Sequence, residues 1–401
     1  VKKKITGLLL TSFLMTGVLA GCGGAKQTGA SSDSQPASSA SAGSTIKVGE
    51  NLELSGAVAS YGQSIAEGVD LAIDEINGKG GVDGKKFEVV KVDNKSDAAE
   101  ATSAALKLTS QNKVNAIIGS ATSGNTIAQI QVATDNKTVV ISPSGTNPKI
   151  TVGADGKVNE YMFRTCFIDP FQGTVAANFA AKKLNVKKAA VFADSSSDYA
   201  KGLASAFKDQ FKKNGGQIVD EEAYVAKDTD FRATLTRIKA ANPEFIFLPG
   251  YYEEVGLIVK QARELGITVP IMGGDGWDSP KLVQLAGKDA LNNTYITNHY
   301  SSGDKDPKIQ KFVSDFKAKY GGKTPDGFNA LGYDSVYFLA DAIKRAGGLD
   351  PVKVKDALAQ TKDLSLVSGT FSLDKNHDPI KSATVLKYEN GEQKFETKVN
   401  P

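Results

Sequence analysis

Two periods of apolar residues alternate along the chain. Ile46-Lys47-Val48-Gly49 opens a strand, and Ile65, Val69, Ala72, Ile73 and Ile76 then recur at the spacing of a helix face until Gly78-Lys79-Gly80-Gly81 stops it. Strands follow over Phe87 to Val92, Ala116 to Ile118 and Thr138 to Ile141, separated by helices over Asp97 to Asn112 and Gly124 to Asn136. Past Phe163-Arg164-Thr165 the pattern restarts. Helices over Asp169 to Leu184, Tyr199 to Asn214, Phe231 to Ala240 and Glu253 to Leu265 alternate with strands over Ala189 to Ala193, Ile218 to Ala223, Phe245 to Leu248 and Pro270 to Gly273. Such alternation builds parallel, doubly wound sheets, so an α/β protein of two Rossmann-like lobes is expected. Helices over Pro307 to Tyr320, Gly327 to Ala346 and Val352 to Gln360 come later, then strands near Gly369 to Leu373 and Ala383 to Tyr388. Periodicity alone does not say which lobe those last helices join.

The first residues carry a different pattern. Lys2, Lys3 and Lys4 precede an apolar run from Ile5 to Ala20, which predicts a signal peptide over residues 1–21. The run falls short of the roughly 20 residues of a membrane-spanning helix, and no later segment approaches that length. Leu19-Ala20-Gly21-Cys22 resembles the bacterial lipobox, which implies cleavage before Cys22 and a diacylglyceryl thioether on its sulfur. Two acyl chains give an anchor that one does not. From Gly23 to Ser44 there is no Leu, Ile, Val or aromatic residue, so residues 22–44 form a lipidated Cys and a flexible linker that spans roughly 25 Å.

The chain has 401 residues, with 48 Lys and Arg against 45 Asp and Glu. Three of those lysines and no acid lie before Cys22, so the remainder is neutral. A neutral body lacks the basic stripe that nucleic acid requires. Two cysteines, Cys22 and Cys166, exclude a disulfide scaffold and a Cys-rich zinc site.

Open α/β sheets bind ligands in the loops beyond the carboxyl ends of their strands. Here those loops are Leu54 to Gly62, Gly119 to Gly124, Ser142-Pro143-Ser144-Gly145-Thr146, Asp194 to Tyr199, Pro249-Gly250-Tyr251-Tyr252-Glu253, and Gly273-Gly274-Asp275-Gly276-Trp277. Their hydroxyls, beside exposed N–H groups at helix N-termini, suit a carboxylate, and a lone acid such as Asp275 suits an ammonium. Together they describe a receptor for a small zwitterion.

Ser55-Gly56 with Tyr61-Gly62, the run Asp74-Glu75-Ile76-Asn77-Gly78-Lys79-Gly80-Gly81-Val82-Asp83-Gly84, Ile118-Gly119 with Ser123, Ser142-Pro143 with Thr146, Tyr199 to Leu203, and Gly250-Tyr251 occur in an informative order. By them the chain, from Ile46 to about Tyr388, resembles the type I periplasmic-type solute-binding proteins of the branched-chain amino acid family, the extracytoplasmic receptors of ABC importers. The resemblance implies two lobes joined by three hinge crossings, near Arg164 to Cys166, Tyr295 to Asn298 and Gly369 to Leu373. The N-terminal lobe would hold residues 45–165 plus 298–369 and the C-terminal lobe 166–297 plus 370–401. The resemblance also implies that Ser123 grips the ligand α-carboxylate, that Thr146 bridges carboxylate and ammonium, and that the Ser144 carbonyl accepts from the ammonium. Tyr251 and an acid would come from the second lobe, with Asp275 standing where the leucine-isoleucine-valine protein has a glutamate. Tyr61, Tyr199, Trp277 and Phe328 fall where the family places pocket walls, and a flat Trp277 wall would favour an aromatic or flat polar ligand. A family disulfide is missing, because Thr122 replaces one cysteine, so Cys166 is expected to be a buried, inert thiol.

Other chemistry is set aside. Asp374-Lys375-Asn376-His377-Asp378 begins like a calcium loop, but Pro379 and Val385 stand where Gly and Glu are needed, so it is expected to be a turn. His299 and His377 are the only histidines and lie far apart, which argues against a metal site or a triad. The function expected is a lipid-anchored substrate-binding component of an amino-acid importer, branched-chain amino acids foremost, with no catalytic residue, cofactor or metal. Its expected partners are a small amino-acid ligand, a membrane ABC permease with its ATPase, and membrane lipid through Cys22, with no nucleic acid; the receptor itself is expected to be a monomer. The alternatives are another small solute on the same scaffold, a ligand-sensing ectodomain, and a flavodoxin-like surface enzyme, which would need a nucleophile–base pair or cofactor loop.

Overall fold

In the computed structural model, which describes residues 45–401, five parallel strands form a first sheet in the order Phe87–Asp93, Ile46–Leu52, Ala116–Gly119, Val139–Ser142, Met162–Arg164. A second sheet repeats that order with Gln217–Tyr224, Lys188–Asp194, Phe245–Phe247, Ile271–Gly273 and Thr294–Asn298, then adds Ala383–Glu389 and Glu392–Val399 antiparallel. In each sheet the first strand of its unit lies between the second and the third. The winding therefore reverses at one place per sheet, beside Ile46–Leu52 and beside Lys188–Asp194, and ligand crevices open there. The signal segment, Cys22 and the whole of the predicted linker lie outside the described residues.

Local chemistry explains most elements. Ala116–Gly119 and Val139–Ser142 are buried at every position, as strands covered on both faces must be. Ala59–Gly78 buries Ile65, Val69, Ala72, Ile73 and Ile76. It packs on Gly327–Ala346, which starts from a reciprocal capping box of Asp326 and Asn329. The two helices approach closely at Gly68, where a Cβ would fall 2.0 Å from the Asn329 carbonyl oxygen. That contact, with the packing of Pro351–Ala359 on Val139–Ser142, places the late helices on the first sheet, the point periodicity left open. The chain therefore passes three times between the two sheets: after Met162–Arg164, after Thr294–Asn298, and between Pro351–Ala359 and Ala383–Glu389.

Four elements differ from expectation. The helix expected over Gly124 to Asn136 is two helices, Ser123–Ile127 and Ile130–Asp135. Thr102 Oγ1 donates to the Ala128 carbonyl at 2.9 Å, and Gln129 Nε2 reaches Ser120 Oγ at 3.0 Å, so side chains intrude at the break. The helices expected to reach Asn112 and Leu184 end at Leu106 and Asn178 and finish in the wider turns Lys107–Gln111 and Phe179–Lys183. Glu392–Val399 is a strand that periodicity does not show, because an edge strand rich in Glu and Lys has little apolar alternation.

A buried cation pins the first passage between the sheets. Arg164 donates from Nη1 to the Gly145 carbonyl at 2.6 Å and from Nη2 to the Asn147 carbonyl at 2.9 Å and Thr151 Oγ1 at 3.0 Å, while its Nε lies 3.0 Å from Asp378 Oδ1. Asp378 follows the Asp374 turn, in which Asp374 Oδ1 accepts from the N–H groups of Asn376 and Asp378. Buried Lys381 donates to the Thr165 carbonyl at 3.1 Å and to Ser368 Oγ. Burial lowers its amine to about 8. The Cys166 thiol donates to the Gly145 carbonyl at 3.2 Å, and burial pushes it up to about 12, where it is inert.

Candidate functional site

The crevices of the two sheets meet in a small cavity. The first sheet contributes Ala121, Thr122 and Ser123 at the start of a helix, Ser144 from the turn after Val139–Ser142, Tyr61 from Ala59–Gly78 and Phe328 from Gly327–Ala346. The second contributes Tyr199, Tyr251, Asp275 and Gly276.

Apolar and polar groups divide the walls. Phe328 stacks on Tyr61 with ring centroids 4.3 Å apart, and Tyr251 lies parallel to Tyr199 at 5.2 Å. The Tyr61 hydroxyl donates to the Gly276 carbonyl and accepts from the Tyr252 N–H at 3.2 Å. The Tyr252 hydroxyl in turn donates to the Ala57 carbonyl at 3.0 Å, and Ser60 Oγ lies 2.8 Å from Ser279 Oγ. Direct hydrogen bonds thus close the crevice over the cavity. Burial raises the Tyr61 and Tyr199 hydroxyls well above their ordinary value, so both remain donors.

Asp275 is the polar centre on the second side and is only 3% exposed. Its Oδ1 accepts from the Tyr199 hydroxyl and its Oδ2 lies against His299 Nε2, both at 2.9 Å, and its N–H donates to Gln172 Oε1 at 2.8 Å. A carboxylate has about four lone-pair sites, so acceptor capacity remains for a cation. On the first side, Ser144 Oγ donates to the Ala121 carbonyl at 2.8 Å, and Ser123 Oγ accepts from the Asn147 N–H at 3.2 Å. Thr146 is fully buried and not among the cavity walls, and its carbonyl accepts from the Asp169 N–H at 3.0 Å.

The structure brings Tyr61, Ser123, Ser144, Tyr199, Tyr251, Asp275 and Phe328 together on one cavity and leaves Thr146 out of its lining. Trp277, expected as a pocket wall, lies elsewhere. It is fully buried away from the cavity, its Nε1 donates to the Leu248 carbonyl at 2.9 Å, and a Cβ at Gly273 would collide with its indole. It anchors the Asp275 turn and is no wall.

Four residues near the site were not read from sequence. Glu53 accepts from the N–H groups of Ala121 and Thr122, the Thr122 hydroxyl and Asn125 Nδ2 at 2.9–3.0 Å, and so holds the turn that carries Ser123. Gln172 and His299 hold Asp275. Asp169 is a second buried acid, beside the Thr146 and Gln172 side chains; burial, with Asp275 acting the same way, pushes it up to about 8. Its place next to Pro170, in a helix first turn, was the available signal. Among the described residues, no group of three His, Cys, Asp or Glu side chains converges to hold a metal.

Known proteins share this fold and sequence. The chain is 32% identical over 343 residues, 85% of its length and 89% of the other's, to a leucine-, isoleucine-, valine-, threonine- and alanine-binding protein of Pseudomonas aeruginosa. Its fold matches the leucine binding protein LivK of Thermotoga maritima at a TM-score of 0.84 and 38% identity, covering 89% of this chain and 99% of that one. It also matches the branched-chain amino acid transporter substrate binding protein LivJ of Streptococcus pneumoniae, solved with isoleucine, at 0.83 and 43%, covering 89% and 100%. These relatives are solute-binding proteins rather than enzymes, and the shared architecture is the type I periplasmic binding protein fold. Residues 45–393 match the model of the periplasmic binding protein family, and the chain belongs to that family.

Proposed function

We propose that the chain is the extracytoplasmic, lipid-anchored substrate-binding component of an ABC importer for branched-chain amino acids. The observation that carries this reading is the lining of the cavity: a buried acid on one side, serine hydroxyls at a helix start on the other, and apolar rings between. Asp275 takes the ligand ammonium, Ser123 and Thr146 take its carboxylate, the Ser144 carbonyl shares the ammonium, and Tyr61, Tyr251 and Phe328 face the side chain. The lobes 45–165 plus 298–369 and 166–297 plus 370–401 open and close on it. Trp277 was the reason to expect a flat ligand, and its place in the core removes that reason. The names of the matched relatives point the same way.

A thermal-shift panel tests the ligand class. Leucine, isoleucine and valine are expected to raise the melting temperature of the chain from Ser44 onward, since only a molecule that binds the folded state stabilises it. Stabilisation by benzoate or another acid without an ammonium, and by none of these three, would place a different solute in the cavity.

Cys22 lies outside the described residues, and its lipidation is part of the proposal. In a bacterial host the full chain is expected in the membrane fraction, with a diacylglyceryl mass on its N-terminal peptide. Cys22→Ser is expected to move it to the soluble fraction. Equal membrane retention of both forms would exclude the anchor.

A further inference from the structure

Asp275 is held in place by a residue that does not reach the cavity. His299 Nε2 lies 2.9 Å from Asp275 Oδ2, both side chains are buried, and His299 is absent from the cavity walls. Because a carboxylate only accepts, Nε2 carries the proton and Nδ1 is the bare nitrogen, which is buried without a partner. The ring stacks on Phe167 with centroids 3.7 Å apart, and the His299 N–H donates to Asn298 Oδ1 at 2.7 Å. Both ring and backbone are therefore fixed.

The backbone of Asp275 is tied to the same strand. Gln172 Oε1 accepts from the Asp275 N–H at 2.8 Å and from Thr297 Oγ1 at 2.6 Å, and Thr297 and His299 stand at the end of Thr294–Asn298, where the chain makes its second passage between the sheets. With Tyr199 on Oδ1 and His299 on Oδ2, the terminal torsion of Asp275 is set before any ligand arrives. A preset carboxylate loses little side-chain freedom on binding.

We propose that His299 is a positioning residue of the ammonium pocket, acting only through Asp275. This rests on the function proposed above. An unheld Asp275 would swing among orientations, and its oxygens would be offered to the ammonium for only part of the time. The effect belongs to one charged hydrogen bond, so it should disappear when the charge it orients is removed.

The test is calorimetric titration of leucine into wild type, His299→Leu and His299→Gln, each with Asp275 and with Asp275→Asn. His299→Leu is expected to weaken binding by about ten- to a hundred-fold. His299→Gln, which keeps an N–H donor of similar reach, is expected to stay within about threefold of wild type. In the Asp275→Asn background, His299→Leu should cost less than about twofold more, because residues acting through one interaction are not additive. If His299→Leu does not fold, His299→Asn, whose amide stops short of Asp275, takes its place in the cycle. The inference is overturned alone if wild type binds leucine while the Leu or Asn variant keeps its affinity, if Gln fails to rescue, or if the loss persists undiminished beside Asp275→Asn. A wild type that binds no α-amino acid overturns the proposed function, and this inference with it.

Discussion

Asp275→Asn is expected to weaken binding of leucine, isoleucine and valine by at least about a hundred-fold. The substitution keeps size and shape but removes the counter-charge of a desolvated ammonium. Breaking one partner of a buried ion pair costs roughly 3–5 kcal/mol, and each 1.4 kcal/mol is about tenfold in affinity. The local hydrogen bonds survive the change. Tyr199 can still donate to the amide oxygen, and neutral His299, whose protonation burial disfavours, can move its proton to Nδ1 and accept from the new amide. The unliganded protein is therefore expected to melt within a few degrees of wild type. Asp169, whose charged form is disfavoured by burial and by Asp275 nearby, is not among the cavity walls and is not expected to substitute. Calorimetry with the purified variant decides the matter, and unchanged affinity would remove Asp275 from the site.

Arg164→Ala is expected to give the largest loss of stability. The guanidinium is fully buried and satisfies two carbonyls, a hydroxyl and the Asp378 carboxylate at the first passage between the sheets. Truncation leaves Asp378 as a buried, uncompensated charge and leaves the Gly145 and Asn147 carbonyls short of donors. A cost of roughly 3–5 kcal/mol follows, which corresponds to a fall in melting temperature on the order of 5–10 °C. Arg164→Lys should lie between wild type and Ala, because one ammonium cannot reproduce the planar fork. Differential scanning calorimetry measures both, and an Ala variant melting beside wild type would mean that the cluster contributes little.

The elements that sequence exposes are those with strong local periodicity. Ile65, Val69, Ala72, Ile73 and Ile76 form a helix face that any pattern reading finds, and all five are buried. The cavity loops were legible for a topological reason, since winding reversals put Ser123 and Tyr251 at the strand ends where crevices open. What sequence did not show depends on contacts between distant residues. Trp277 sits one residue past a cavity residue, yet the turn sends its indole into the core toward Leu248. His299 is isolated in sequence from every acid it meets, and only the second passage between the sheets brings it to Asp275. Glu53 follows a strand and reads as an ordinary loop acid until the turn Ala121–Thr122 is folded over it. The late helices carried no address of their own; close contact at Gly68 supplies it.

The central claim is that one cavity recognises both charges of an α-amino acid, and calorimetric titration with three matched ligands tests it most directly. Leucine carries both charges, 4-methylpentanoate lacks the ammonium, and 3-methylbutylamine lacks the carboxylate. An absent partner leaves Asp275, or the donors at Ser123 and Thr146, unpaired in a dry site, at a cost of several kcal/mol. Leucine is expected to bind, and each analogue to bind at least about a hundred-fold more weakly. Binding of 4-methylpentanoate or 3-methylbutylamine as tight as that of leucine would contradict recognition by these residues.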